Sequence, residues 1–598
     1  RLAETQPWLK ISVRWSGPHL LTCAHLAQAG VDLASLDLAT VRLFAGRRDG
    51  PEIALKIEDG GQSAPCDGDD RLLFWVGDDQ NADFTEEADS RRPPIRTNPP
   101  KPFDRASTLR QGFDRLNPPA QESAGSTDQI RTPPCKSVDI RDNPCPFFGS
   151  EAGDSRYSHL AVYWLTYGGA AGRRMAERPA LSSGAPVTAS AALLTLAEKR
   201  FYQPQLPREE GYEHWFWRMH STNRPYWPAS RAYTLSLESG VTARSLTVAL
   251  AGDANSHRTR FFANGLPLGE VTWRGAVAYP PTLPLPAGAL TPGANVITIT
   301  EAAAGPSLVA VQSIAIGLER PLRALDNRLD FAAPGPGSWR FQADGFDDPP
   351  GLLWDVSDPY APVVITGFTL GSLPPDGLSF GDETGAPARY VAAGLSALLS
   401  PAALDPYTPS HLDDPANGAD YLLIAPASLL PALTPLAAWR TGQGLRVKVV
   451  DAQTIYDDFG RGLPEPPAIR AFLAYAYHNW QPPAPLYVLL VGDGHYDPKG
   501  YCLAPGECDN GRVTPPGANL LPPNLELVDP WLGETAADNR LAIFDPANPL
   551  PQMAVGRLPA ASAEETAALV TKILAYEQQP GNEAWRSRLA FVADNAFD

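Results

Sequence analysis

LYVLLVGDGHYD, residues 486–497, decides the fold class of the C-terminal third of the chain: a six-residue apolar run ends on Gly492-Asp493-Gly494. An unbroken apolar run this short, with prolines before it and a glycine turn after it, predicts a strand buried on both faces of a parallel sheet. In open α/β sheets ligands bind beyond the carboxyl ends of the strands, which places Asp493, His495 and Asp497 on the functional edge. Their plainer role is turn formation, because Asp and Gly favour any strand-to-loop corner.

The flanking sequence alternates strands with amphipathic helices. YLLIA (421–425) is a short apolar strand, Leu429–Arg440 a helix closed by Gly442 and Gly444, and Leu445–Val450 a second strand, together a βαβ unit. Pro466-Pro467 open a helix whose Ile469, Phe472, Leu473, Ala476, Tyr477 and Trp480 share one face. Beyond the central strand, Met553–Gly556 is a further strand. Ser562-Ala-Glu-Glu565 caps a helix expected to bury Leu569, Ile573 and Tyr576, and Leu589–Val592 starts another strand. A parallel sheet whose newest strand has just emerged reads as an incomplete domain, so the sequence is expected to continue past Asp598.

Toward the N-terminus the pattern is β. The chain has 598 residues, more than one core accommodates, with 63 prolines and 50 glycines that favour short strands joined by turns. In WLKISVRW (8–15), Leu9, Ile11, Val13 and Trp15 alternate with Lys10, Ser12 and Arg14, predicting a half-buried strand. Strands at 41–44, 72–76 and 162–167 complete a first β domain over 1–200. Residues 77–155 lack periodicity and read as a flexible insertion within it. Residues 201–321 carry regularly spaced short strands, the pattern of a jelly-roll β-sandwich, and 322–417 a β-rich connecting segment. His214-Trp215-Phe216-Trp217 offers rings for sugar stacking, although such clusters more often fill a core or a domain seam.

A net charge of −18 would repel nucleic acid and anionic lipid. No apolar stretch is long enough for a membrane span, and the opening Arg-Leu-Ala-Glu is neither a Met start nor a signal region. Of the six cysteines, Cys135 with Cys145 and Cys502 with Cys508 lie close in sequence and are the disulfide candidates, a pattern that favours an oxidising setting, so the protein is expected to be extracellular or at the cell surface. No spacing of Cys or His suits zinc.

Cys502 or Cys508 with His495 could form a nucleophile–base pair, but a disulfide is the better reading of YCLAPGECDNG. There is no GxSxG serine elbow. Asp493, Asp497, Asp529, Glu534 and Asp538 offer oxygen ligands for a structural Ca²⁺, without the spacing of an EF-hand loop.

YLLIA, WRTGQGLRVKVVDAQTIYDDFG, AIRAFLAYAYHNW, LYVLLVGDGHYDP, DPWLGETAADN, MAVGRLPA and KILAYE, in that order, resemble the first subdomain of gingipain-type cysteine peptidases over roughly residues 420 to 598. VRLFAG and VYWLTYGG are similar to the β domain that precedes the catalytic domain in bacterial relatives, and residues 200–410 more loosely resemble an accessory sandwich. The resemblance implies a caspase-like α/β domain, with 418–580 its first subdomain and 581–598 the start of the second. It implies hydrolysis of protein or peptide substrates through a Cys–His dyad, with no cofactor required. In that family the histidine lies in Gly-His-Gly and the cysteine at a later strand end. Neither motif occurs here, so the dyad is expected downstream of Asp598, and the fragment alone is expected to be inactive. Asp594 and Asp598 match the loop that supplies the acid of the primary specificity pocket in Arg-specific members. Two alternatives stay open: a sortase-like transpeptidase of a bacterial secretion system, and a non-catalytic surface or carbohydrate-binding β protein.

Overall fold

The computed structural model describes residues 6–58, 66, 70–77, 155–209, 211–371, 377–502, 519–529, 531–545, 547–579, 581 and 584–591. The insertion expected at 77–155 therefore lies almost wholly outside the described residues, as do Cys135, Cys145, Cys508, Asp594 and Asp598.

The β-rich part is built by nesting. The first antiparallel sheet runs Ala403–Tyr407, Trp8–Val13, Ala161–Thr166, Arg42–Ala45, Glu52–Ile53, so its outer strand comes from almost 400 residues further along the chain than its neighbour. A smaller sheet, Gly17–Thr22 with Arg71–Val76 and Lys56–Glu58, closes the same core around Ile11, Leu43, Phe74 and Tyr163. Trp8–Val13 is not half-buried as its alternation predicts. Its second face is also covered, because Trp8, Val162 and Trp164 pack on Leu463 of the C-terminal domain and Lys10 Nζ ion-pairs with Asp457 at 2.7 Å. A partner domain has converted the solvent face into an interface.

Residues 322–417 do more than connect. Arg328–Ala332, Arg389–Ala393, Leu352–Asp355, Val363–Thr366 and Ala176–Pro179 form one sheet, and Thr369–Gly371, Gly377–Thr384, Gly337–Ala343 and Ala185–Val187 another. Between them lies an aromatic core of Phe331, Phe341, Phe380 and Tyr390. Two of these strands precede the next unit in sequence, so the β-sandwich is inserted between them and the rest.

That sandwich pairs Ala189–Leu196, Leu308–Pro321 and Thr242–Gly252 in one antiparallel sheet, extended by Arg218–Ser221, Ala278–Tyr279 and Thr282–Pro284. Ser230–Leu237, Gly293–Glu301, Ser256–Ala263 and Leu266–Arg274 make the other. Leu246, Val248, Phe261, Ile297, Ile299, Ile314 and Ile316 alternate inward from both sheets into one dry core.

The C-terminal domain is a four-stranded, all-parallel sheet ordered Val447–Asp451, Tyr421–Ala425, Tyr487–Val491, Ala554–Leu558. Helices cover both faces, as an all-parallel sheet requires. Pro466–Asn479 buries Ile469, Phe472, Leu473 and Ala476 on one side, together with Ile455 and Tyr456 of Ala452–Phe459. Thr434–Gly442 and Ala563–Gln578 pack on the other. Ser562 Oγ caps the last helix by accepting from Glu565 N at 3.2 Å. Its fully buried residues are Thr566 and Val570, and of the predicted Leu569, Ile573 and Tyr576, Ile573 packs against the same core and Leu569 is half-buried. Tyr576 faces solvent at 52% exposure. Residues 588–591 form no strand, and Leu589 and Phe591 are 84% and 92% exposed. Among the described residues no helix is long and apolar enough to cross a membrane.

Candidate functional site at the sheet edge

The carboxyl end of Tyr487–Val491 opens into the predicted turn, and its glycines are structural necessities. Gly492 has φ +140°, where a side chain is strained, and a Cβ on Gly494 would meet the Leu521 carbonyl oxygen at 2.6 Å. The turn is tied to the neighbouring strand end: Gly492 N donates to Leu558 O (3.0 Å), and Asp493 N to Ala560 O (2.9 Å). Arg557, the fourth residue of Ala554–Leu558, clasps it from the side. Its Nη1 donates to the carbonyls of Gly492 (2.9 Å) and Leu521 (2.8 Å), while its Nε pairs with Asp538 at 2.6 Å.

Asp493 is exposed at the lip, its Oδ1 accepting from Gly494 N at 2.9 Å. His495 is half-buried; its main chain exchanges hydrogen bonds with the Asn519 amide (both 3.3 Å), and its Nδ1 accepts from Asp497 N at 3.3 Å. Asp497 is fully buried and turn-forming: its two oxygens accept from the backbone N–H groups of Tyr501 and Cys502, both at 2.8 Å. The sheet edge thus presents one exposed carboxylate and one imidazole two residues apart, as the sequence indicates.

Among the described residues this edge carries no free thiol. Cys502 is 1% exposed and disulfide-bonded, so it offers His495 no thiolate. The other described disulfide, Cys23–Cys66, has a Cα separation of 5.8 Å and joins residues 43 apart. The sequence reading missed it by pairing neighbours. The bridge is dictated by the fold instead, which seats the helix Cys23–Gln28 and residue 66 in one core. Among the described residues no cysteine is free.

Three of the acids considered for Ca²⁺ have protein partners. Asp497 caps its turn, Asp538 pairs with Arg557, and Glu534 pairs with Arg156 and accepts from the Tyr202 hydroxyl at 2.6 Å. Among the described residues the one cluster with metal-ligand proximity is Cys23, Cys66 and Asp70, whose sulfurs are already bonded to each other. The aromatic run His214–Trp217 is buried throughout, which removes it as a sugar platform. Trp215 and Tyr202 fill a domain seam against Tyr496 and Tyr501, and Trp217 enters the sandwich core.

Arg557 and Arg156, which organise the edge and the seam, carry no motif that marks them in the sequence. The signal available for Arg557 was a cation within MAVGRLPA, at the end of a strand meant to be buried.

Residues 414–598 match the sequence profile of Peptidase family C25. The crystal structure of dimeric latent PorU from Porphyromonas gingivalis superposes on 98% of this chain with a TM-score of 0.59 at 17% identity, a likeness of fold, and the chain spans 51% of that protein. A solved protease aligns at TM-score 0.18 and 21% identity, covering 26% of this chain and 28% of its own. A carbohydrate-binding module of the CBM36 type, solved with calcium and xylotriose, aligns at 0.13 and 13% identity, over 18% of this chain and 92% of its own. Neither score carries an inference. No curated protein matches.

Proposed function

Because residues 414–598 carry the C25 peptidase pattern, we propose that this chain is part of an extracellular or cell-surface cysteine endopeptidase of gingipain type. The observation that carries the reading is the coincidence of that match with an all-parallel sheet whose central strand delivers Gly492-Asp493-Gly494-His495 to its carboxyl edge. In this chemistry a thiolate attacks the peptide carbonyl, an imidazole moves the proton to the leaving amine, and N–H donors hold the oxyanion. In this reading the carboxyl edge of the parallel sheet is the platform on which those groups are assembled. The Cys–His dyad itself we assign to sequence following Asp598, in keeping with the 51% span of PorU. Asp594 and Asp598 are proposed as acids of the primary specificity pocket.

The test is to express the natural gene product extending past Asp598 beside the 598-residue chain, and to assay both on Arg- and Lys-ended fluorogenic peptides with and without a thiol alkylator. Cleavage by the longer form alone, abolished by alkylation, is expected. Cleavage by the 598-residue chain would overturn the placement of the dyad, and silence of both would overturn the peptidase reading. Transfer of the acyl group to an added amine in preference to water would identify a transpeptidase.

A further inference from the structure

The β-sandwich grips the loop that leaves the central strand, and the grip is organised around buried ionisable groups. Tyr496 stacks on Tyr202, with ring centres 4.6 Å apart and planes 23° apart. Tyr501 meets Trp215 edge-on at 5.2 Å and donates from its hydroxyl to Glu213 at 3.3 Å. The hub is Glu534, next to the turn end of the hairpin Leu525–Asp529/Gly533–Ala536, its side chain 1% exposed. Its carboxylate accepts from Tyr202, pairs with Arg156, and lies 3.4 Å from His214 Nε2. His214 Nδ1 is 2.8 Å from the Leu206 carbonyl, so that nitrogen carries the proton of the neutral ring. The space left at the centre suits about one water molecule. Three separate stretches of chain therefore meet at one buried acid–base cluster.

We propose that this seam is a pH-operated latch: protonation of His214 loosens the sandwich's hold on Tyr496–Cys502, at the lip of the parallel sheet. The groups facing His214 decide the sign. Arg156 already balances Glu534, so an imidazolium adds a second cation to a buried pocket. Glu213, beside His214 in sequence, is engaged by Lys199 and by Tyr501. Tyr202, Tyr212 and Tyr496 present neutral phenols. Burial is the dominant influence and holds the His214 pKa below the usual 6.5, with the Leu206 carbonyl opposing it. A group depressed in the closed seam stabilises it above the open-state pKa, and that contribution is lost as the pH falls below about 6.5. The latch stands on the seam alone; only its consequence for catalysis rests on the peptidase reading.

Hydrogen exchange of the 598-residue chain at pH 7.5 and 5.0, corrected for intrinsic rates, tests it. The amides of Tyr501 and Cys502, bonded to Asp497, should lose protection several-fold at the lower pH, and His214→Gln should keep them protected at both. In parallel, the His214 ring resonance should titrate below 6.5 and track the exchange transition, a readout that needs no variant. Equal protection at both pH values, a pH response that survives His214→Gln, or a ring titration that does not track exchange would each overturn the latch. None of these measurements depends on peptidase activity.

Discussion

Arg557→Met removes the clasp on the glycine turn, and its cost follows from the geometry. Two carbonyl acceptors, Gly492 O at 2.9 Å and Leu521 O at 2.8 Å, lose a charged donor, and Asp538 loses its counter-ion. Each hydrogen bond to a charged group contributes about 1.5 kcal/mol or more. Stranding a partly buried carboxylate adds to this, although breaking a fully buried pair costs only about 3–5 kcal/mol in all. Both side chains are 17% exposed, so solvent relieves part of the penalty, and Asp538 keeps the Asn524 N–H at 3.1 Å. The net local loss should be about 3 kcal/mol. The chain has several cores, so a single global unfolding energy is not defined. The assay is native-state exchange at the amides of Gly492 and Asp493, which bond to Leu558 O and Ala560 O. Adding Asp538→Leu to Arg557→Met removes the stranded charge and should recover about 1–2 kcal/mol of protection. A loss under about 1 kcal/mol, or strict additivity of the two substitutions, would refute the clasp.

Acid should weaken the β-rich part through His19 and His220, both buried and both lowered by desolvation to about 4. Depressed histidines stabilise fully above the unfolded value near 6.5, and that contribution drains as the pH falls toward 4, by at most about 3 kcal/mol each. Thermal unfolding between pH 7.5 and 4.5 should show the decline, with a shallower slope in His220→Gln. Gly533→Ala places a Cβ against the Pro204 carbonyl at φ +72°, and should destabilise the hairpin–sandwich seam by about 1–3 kcal/mol, read as increased proteolysis between the two parts. Cys23→Ser opens a bridge spanning 43 residues and should cost the first domain about 2–5 kcal/mol, matched by adding reductant to the parent chain.

What the sequence disclosed depended on whether a residue's partner was local. The central strand, its glycine turn and the face of Pro466–Asn479 were legible, because runs and periodicities are read within a dozen residues. Partners distant in sequence were not. The second buried face of Trp8–Val13, the pairing of Trp8–Val13 with Ala403–Tyr407, and the Cys23–Cys66 bridge are set by where domains dock. In Ala563–Gln578 the predicted Ile573 does pack on the core, while Val570 is buried more fully than its neighbour Leu569, since the two are equally apolar and tertiary contact chooses between them. At the site, Asp493 and His495 fell where the strand end put them. Arg557 and Glu534 were invisible as partners, because buried charge is intelligible only once its counter-charge is known.

The nested topology explains why the β-rich half and the peptidase-like third form one mechanical unit. The first sheet is completed only when Ala403–Tyr407 pairs beside Trp8–Val13, and the next strand, Tyr421–Ala425, already belongs to the parallel sheet. The linker between them is anchored as well: Asp458 of the α/β domain accepts from Tyr407 and Ser410, and from Arg48 at 2.5 Å. Burial raises the pKa of the neighbouring Asp457, whose partner Lys10 comes from the opening strand. The sandwich reaches the same domain from its other side, through Tyr202 and Trp215 on Tyr496. A parallel-sheet domain held both through Asp457 and Asp458 and through Tyr496 passes a displacement of the sandwich to Gly492-Asp493-Gly494 by way of Tyr496, only two residues away. The β domains are therefore part of the frame that fixes the sheet edge, and removing them should loosen that edge even where every residue of the α/β domain is retained.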